Sequence, residues 1–504
     1  MDLAALTAGE SLTLLQAGTI SPAELTQACL NRIEHVNPAV NAVVTVAAER
    51  AMAEADAATS ALVGGATRRA DIFADQELFG LPVLIKDLQP TAGIITTLGS
   101  EAHADWVPAV DAGIVRRIRD SGGIVVGKTN IPERSIGANT VNRLFGATAN
   151  PFDLDATCGG SSGGSAVALA TNMAPLATGS DHGGSLRIPA SFCGVVGFRA
   201  TPGVVPFEER TTPQTNYSVQ GPMARTVADT ALLLSVIAKR QWRQQRDPMA
   251  FPLDTARFGQ LDRRDLSQLR VAVTPDLGGV LVSDHVRREF EKRVRAVTPL
   301  VATVDDVALD LTAAAEVDWR LRSDVFVTQY HHEVAQWDDG FNPNIRRSYD
   351  AALATPMEDI AVARRTQMEL FQRVNRVFDD FDVLMIPGVS VPPFPWNQLN
   401  PATIDGVPVD NYMAWLTLTA AITVVGHPAL ALPLGLDATG FPFGVQLVGT
   451  AYGDHHLLSV GHALEQALAD SALGRPVPPE DRWGQEYRPL RDEGTRVADG
   501  TAAR

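Results

Sequence analysis

Gly159-Gly160-Ser161-Ser162-Gly163-Gly164-Ser165, followed by Asp181-His182-Gly183-Gly184-Ser185-Leu186-Arg187, decides how this chain is read. Two glycine-framed serines stand 24 positions apart. Between them a small-residue run, Ala166 to Ala177, reads as a helix opening on the first turn and feeding a short strand near Leu176–Gly179. Glycines on both sides of a serine let backbone N–H groups converge on one point, because no Cβ blocks the approach. A hydroxyl beside convergent N–H groups is what acyl transfer needs, a nucleophile and a seat for the developing oxyanion. A pair of flexible Ser/Gly linkers would have no reason to enclose an apolar helix and strand.

Working outward, Leu78–Lys86 (LFGLPVLIK) reads as a buried strand that ends in a lysine, with Asp87 next. Lysines usually snorkel from strand ends, but a run apolar on both faces desolvates the ammonium, and a desolvated lysine becomes a neutral base. The four lysines are Lys86, Lys128, Lys239 and Lys292. Strand and helix alternate around these motifs. Helices are expected at 112–120, 227–239, 284–297, 312–334, 357–378, 411–423 and 455–468, and strands at 122–126, 195–198, 269–273, 382–386, 430–434 and 444–448. That alternation points to an α/β fold. Residues 1–64 read as helical, with a capping box at Ser21-Pro22-Ala23-Glu24 and a break at Asn37-Pro38 before the helix resumes over 39–61. Gly221 to Thr226 reads as the cap of the helix at 227.

The 504 residues carry a formal charge of −16, a pI near 5.1 and 45% hydrophobic residues, with a mean hydropathy of +0.01. This is a globular, acidic chain with a sizeable core, unsuited to nucleic acid. Cys29, Cys158 and Cys193 are too few and scattered for a disulfide framework, which suggests a reducing compartment. With no basic leader at the N-terminus and no apolar run of ~20 residues, a cytoplasmic protein with no membrane contact is expected.

Other chemistries compete for these residues. Gly159 to Gly163 fits G-x-S-x-G, a nucleophile elbow in which Ser161 would attack in an esterase of the α/β-hydrolase kind, but DLDATCGG reads as a turn where that elbow needs a strand. Neither glycine turn is followed by the Lys-Ser/Thr of a phosphate loop. His331-His332-Glu333 and His455-His456 are adjacent pairs that would diverge on a helix, and H-E-x-x-H is missing, so no metal is expected.

The segment GGSSGGSAVALATNMAPLATGSDHGGSLRIPASFCGVVGFRAT resembles the signature of the amidase signature family. GLPVLIKD, GKTNIPE, NPFD, GPMART and GHPALALPLG…GFPFGVQLVG follow in that family's order, so the likeness spans roughly residues 21–470. The resemblance implies one large domain with a central mixed β-sheet covered on both faces by helices. Within it, 1–64 is a helical N-terminal part, 78–200 the lysine strand and Ser/Gly core, 205–410 variable pocket insertions, 411–470 the C-terminal core and 471–504 an irregular tail. It further implies Ser185 as nucleophile, Ser161 as bridging serine behind a cis peptide bond, and Lys86 as terminal base. The backbone N–H groups of His182, Gly183, Gly184 and Ser185 would form the oxyanion hole, with Ser162, Asp181 and Arg187 holding the loops. Neither a metal nor an organic cofactor is implied. The sequence departs from the family at Asp87-Leu88-Gln89-Pro90, where an Asn is commoner, and this bears on one pocket wall.

The activity so implied is hydrolysis of an amide, anilide or carbamate through an acyl-enzyme, by a monomer or homodimer. Phe207, Tyr217, Trp319, Phe326, Tyr330, Phe394, Trp396, Tyr412 and Trp415 lie in the variable stretches, and some of them would line an apolar pocket. Two further readings stay open, a glutaminase subunit that needs a partner and an amidase-like scaffold without activity.

Overall fold

The computed structural model describes residues 1–63, 66–240, 246–337, 342–409 and 412–480. The last part of the expected tail, 481–504, lies outside them, as do Asn411 at the start of the helix expected over 411–423 and residues 241–245 of the variable insertions.

Eleven strands form one mixed sheet. In chain order they are β1 (Val43–Val46), β2 (Pro82–Lys86), β3 (Ile124–Thr129), β4 (Leu176–Asp181), β5 (Val196–Arg199), β6 (Val219–Ala224), β7 (Arg270–Val273), β8 (Thr303–Asp306), β9 (Val383–Pro387), β10 (Ala429–Leu436) and β11 (Pro442–Val448). Their spatial order is β1-β3-β2-β4-β6-β5-β10-β11-β9-β7-β8. β2 is buried at all five positions and runs parallel to both neighbours, with Val83 opposite Leu176 and Ile85 opposite Lys128. β6 returns antiparallel to β4, pairing Val219 with Asp181. Buried apolar clusters lie on both faces, as expected of an α/β fold with helices covering its sheet.

The helix after the first Ser-Gly turn spans Gly163–Ala170 and is buried at every position. Its glycines allow that depth. A Cβ on Gly164 would stand 2.7 Å from the carbonyl oxygens of Ala42 and Asn130, so backbone packs on backbone. The helix ends earlier than Ala177, because Asn172 takes positive φ and the chain turns into β4.

Several expectations are corrected. Pro38 does not break its helix, which runs Pro22–Val40. Positive φ at Asn41 ends it, and β1 follows where a resumed helix was expected, with the next helix at Ala48–Ala61. Gly221 to Ala224 is strand paired on both edges rather than cap, and only Thr226 caps the helix Val227–Ile237, its side chain accepting from the Asp229 N–H. Asp153–Thr157 is a short strand paired with Ala149–Asn150, not a turn. It stops four residues before Ser161, so it does not make a nucleophile elbow. The helix expected over 411–423 is Thr417–Val425. β8 went unread. His331 and His332 follow the helix Ala314–Tyr330 in a turn, with rings 5.3 Å apart rather than diverging.

Among the described residues no helix is long and apolar enough to cross a membrane. No group of three or more His, Cys, Asp or Glu side chains there could hold a metal.

Candidate active site

The two glycine turns and the lysine strand converge at the carboxyl ends of β2 and β4, the edge where open α/β sheets place ligands. Lys86 is fully buried at the end of β2. Its Nζ lies 2.8 Å from Ser161 Oγ, 2.9 Å from Ser162 Oγ and 2.8 Å from Ser180 Oγ. Burial holds its amine well below the ordinary lysine value, outweighing the opposing pull of Asp181.

A neutral amine has two N–H donors and one lone pair, and the neighbours sort them. The Ser162 hydroxyl donates to the Ser180 carbonyl (3.3 Å), so it can only accept from Lys86. Once deprotonated, Lys86 would donate to Ser162 and to one of Ser161 and Ser180, leaving its lone pair for the hydroxyl of the other. The Gly160–Ser161 peptide is cis. The Ser162 N–H donates to the Ser185 carbonyl (3.2 Å), which ties the first turn to the second.

The second turn is organised by Asp181. Its carboxylate accepts from the Gly184 N–H (2.9 Å), the Leu186 N–H (3.1 Å), Arg187 Nε (3.0 Å) and Nη2 (2.9 Å), and Arg199 Nη1 (3.2 Å). Burial alone would raise its pKa, but Arg187 and Arg199 outweigh it and hold the carboxyl well below the usual range. Arg187 is anchored in turn on the Thr419 carbonyl, Gln446 and Thr423, each at 2.8 or 2.9 Å. Thr419 Oγ1 donates to the Gly183 carbonyl at 2.6 Å. Of the four amides named from sequence, that of Gly184 is already donated to Asp181, whereas no protein acceptor among the described residues meets the Gly183 or Ser185 N–H. The His182 imidazole stacks on Tyr217 (4.8 Å, 21°), and burial with Arg322 and Arg199 nearby keeps it well below its ordinary pKa and neutral.

Ser161, Ser180 and Ser185 open onto one cavity of about 280 Å³. Phe207 and Phe326 line it, as do Leu88, Leu98 and Trp106. Of the other aromatics named from sequence, Tyr412 borders a smaller adjoining hollow. Tyr330, Trp396 and Trp415 are packed in apolar clusters instead. Sequence reading missed Trp106 and Ser180, while Gln89 lies on the pocket wall to which the Asp87-Leu88-Gln89-Pro90 departure pointed. Ser180 was findable, because it sits one residue before the Asp181 turn. Trp106 was not, because the loop 87–112 carries no periodicity. The cavity's charged side chains each have a partner, with Arg210 Nη2 left unmatched among the described residues. Arg210 pairs with Asp247 (3.2 Å), Arg134 with Glu333 (2.7 Å), and Glu209 accepts from the Gly113 N–H (2.9 Å).

Behind the wall formed by 87–97, the buried Lys128 Nζ donates to the Gln89 carbonyl, to Thr91 (2.9 Å) and to Thr96 (2.9 Å), and faces Asp87 at 3.9 Å. The unusual Asp87-Leu88-Gln89 stretch is therefore pinned from inside.

Comparison with known proteins agrees with this architecture. A family model described as Amidase matches residues 24–458. An acylamidase from Rhodococcus erythropolis is 31% identical over 460 residues, covering 88% of this chain and 91% of its own. One subunit of the glutamyl-tRNA(Gln) amidotransferase of Acidothermus cellulolyticus is 33% identical over 500 residues, covering 93% of this chain and 95% of its own. Among solved structures, a bacterial aryl acylamidase of the amidase signature enzymes superimposes with a TM-score of 0.81 at 26% identity, covering 97% of this chain and 98% of that one. The chain belongs to the amidase signature family and is a hydrolase of carbon–nitrogen bonds.

Proposed function

We propose that the protein is a self-contained amidase acting on an apolar or aryl amide, anilide or carbamate through Ser185, Ser161 and Lys86. The observation that carries this reading is the buried Lys86 amine 2.8 Å from Ser161 Oγ, in a setting where burial lowers its pKa well below the ordinary lysine value. Ser185 Oγ attacks the carbonyl carbon and passes its proton to Ser161 Oγ, whose own proton moves to Lys86 Nζ. The oxyanion is met by the N–H groups of Gly183 and Ser185, with that of His182 beside them. The relay then runs backwards and protonates the amide nitrogen, which leaves as an amine. Water hydrolyses the acyl-enzyme through the same groups. Ser162, Asp181 and Arg187 hold the two turns without touching substrate. An apolar leaving group suits the cavity, because Leu88, Leu98, Trp106, Phe207 and Phe326 line it while its charged side chains are already engaged.

The test is hydrolysis of a 4-nitroanilide and a matched aryl carbamate by wild type, Ser185→Ala and Lys86→Ala. Both variants should lose both activities. An active Ser185→Ala beside an inactive Ser161→Ala would hand the nucleophile's role to Ser161. The second reading, a glutaminase subunit, is favoured by the several amidotransferase relatives at about 30% identity. Glutamine hydrolysis that appears only with a partner protein, from a chain inert toward both aryl substrates, would establish it.

A further inference from the structure

At Ser185 the large cavity meets a smaller hollow of about 30 Å³, bordered by Gly183, Ser185, Ile188, Arg322, Tyr412 and Met413. Arg322 is only 4% exposed and stands over the rings of Phe326 (4.9 Å), Tyr412 (5.4 Å) and Trp319 (6.0 Å). Its Nε and Nη1 have no hydrogen-bond partner among the described residues. The nearest carboxylate oxygen is that of Asp318, 3.9 Å from Nη1 and too far for a hydrogen bond. A buried guanidinium with unmatched N–H groups costs stability unless something else fills the need. Arg187 and Arg199, by contrast, both hydrogen-bond the Asp181 carboxylate. The helix Ala314–Tyr330 thus brings a charged donor to the hollow beside Ser185 with two of its nitrogens unmatched among the described residues.

The relay decides which half of a substrate would lie there. The leaving nitrogen must sit toward Ser161 and Lys86 to recover its proton, and Ser161 borders the large cavity but not the hollow. The acyl side is left for the hollow. A volume of about 30 Å³ admits roughly two water-sized groups. Asp318 balances the charge of Arg322 from outside the hollow, so a neutral acceptor is matched better there than a second carboxylate.

Resting on the reading of Ser185 as nucleophile, we infer that the hollow is an acyl subsite for a short group carrying an uncharged oxygen one or two bonds from the scissile carbonyl carbon, with Arg322 as its specificity-determining donor. An O-methyl carbamate or a methoxyacetyl amide has that chemistry.

Methyl N-(4-nitrophenyl)carbamate and 4-nitropropionanilide differ by one oxygen for one methylene, and so fill the hollow alike. The ratio of their kcat/KM values, carbamate over anilide, should fall about tenfold or more from wild type to Arg322→Met, the loss expected for one charged-donor hydrogen bond. Because that change strands Asp318, the double variant Arg322→Met/Asp318→Asn is measured beside it and should show the same fall. In the wild type, methoxyacetyl 4-nitroanilide should outrun the butyryl compound by more than their alkaline hydrolysis rates differ, which needs no variant at all. An unchanged ratio, or no methoxyacetyl preference, overturns the subsite while leaving the Ser185 reading intact. Inertness of wild type toward every compound overturns both. A 4-nitrooxanilate preferred by wild type and most weakened in the variant would make the occupant a carboxylate and overturn the neutral-acceptor assignment.

Discussion

Replacing Lys86 by Met separates a base from a structural cation without needing any substrate. In the unfolded chain Lys86 holds its proton up to about pH 10.4. In the folded chain burial pushes its pKa well down, so folding releases a proton at every pH between the folded value and about 10.4. The unfolded state binds more protons there, and wild-type stability therefore rises with pH across that window, by up to about 1.4 kcal/mol per pH unit. Met has the length to fill the space but no titration. It also forfeits the three Nζ contacts at 2.8, 2.9 and 2.8 Å, at about 1 kcal/mol each and without pH dependence. The expected result is an unfolding free-energy difference, wild type minus Lys86→Met, that climbs steadily from about pH 7 to 9. It should start near or below the constant hydrogen-bond contribution. Urea titrations at three pH values measure it, and turnover should drop roughly 10²- to 10⁴-fold, the range for losing a general base. A difference that stays flat with pH would mean that the amine is charged in both states. That outcome would refute the relay whatever the activity assay says.

Asp181→Asn should destabilise the fold by roughly 3–5 kcal/mol, because Arg187 and Arg199 lose a shared buried partner, and activity should fall with it. Since the carboxyl is held below its ordinary pKa, its contribution is present above about pH 3.9 and lost only as pH drops through the folded value. Wild type and variant melting curves should therefore differ by a constant amount from about pH 5 to 8. Gly184→Ala should abolish turnover, since φ is +128° there and the added Cβ would fall 2.7 Å from Ile188 Cδ1 and closer still to Thr419. Steady-state rates and a thermal melt separate a lost site from a lost fold. Trp106→Ala, at the cavity mouth and 38% exposed, should raise KM for a 4-nitroanilide several-fold and leave that for a small amide unchanged; equal effects on both would remove Trp106 from substrate contact.

What could be read in advance follows from where information is local. Lys86 was legible because an apolar run ending in lysine constrains that residue whatever surrounds it. The two serine turns were legible because paired glycines mark close backbone approach. β1 was hidden, since Val43–Val46 is only four residues long and lies between alanine-rich helical segments whose periodicity runs across it. β6 was misread because Gly221 and Pro222 are turn formers, yet both are buried there and paired with β4. Arg322 and Trp106 could not be placed at all. They reach Ser185 from a helix and a loop 137 and 79 positions distant in sequence, and nothing in their own neighbourhoods announces it.

The anchoring of Arg187 on Thr419, Thr423 and Gln446 has a consequence for synthesis on the ribosome. Lys86, Ser161 and Ser185 emerge in the first two-fifths of translation, but the strand and helix that lock the Ser185 turn are made almost last. A nascent chain halted before Thr419 carries every hydroxyl and the amine, but not the clamp that orients them. On the proposed mechanism, hydrolytic competence would be withheld until the polypeptide is nearly finished, and chains ending before and after this clamp should differ in turnover although the three residues are common to both.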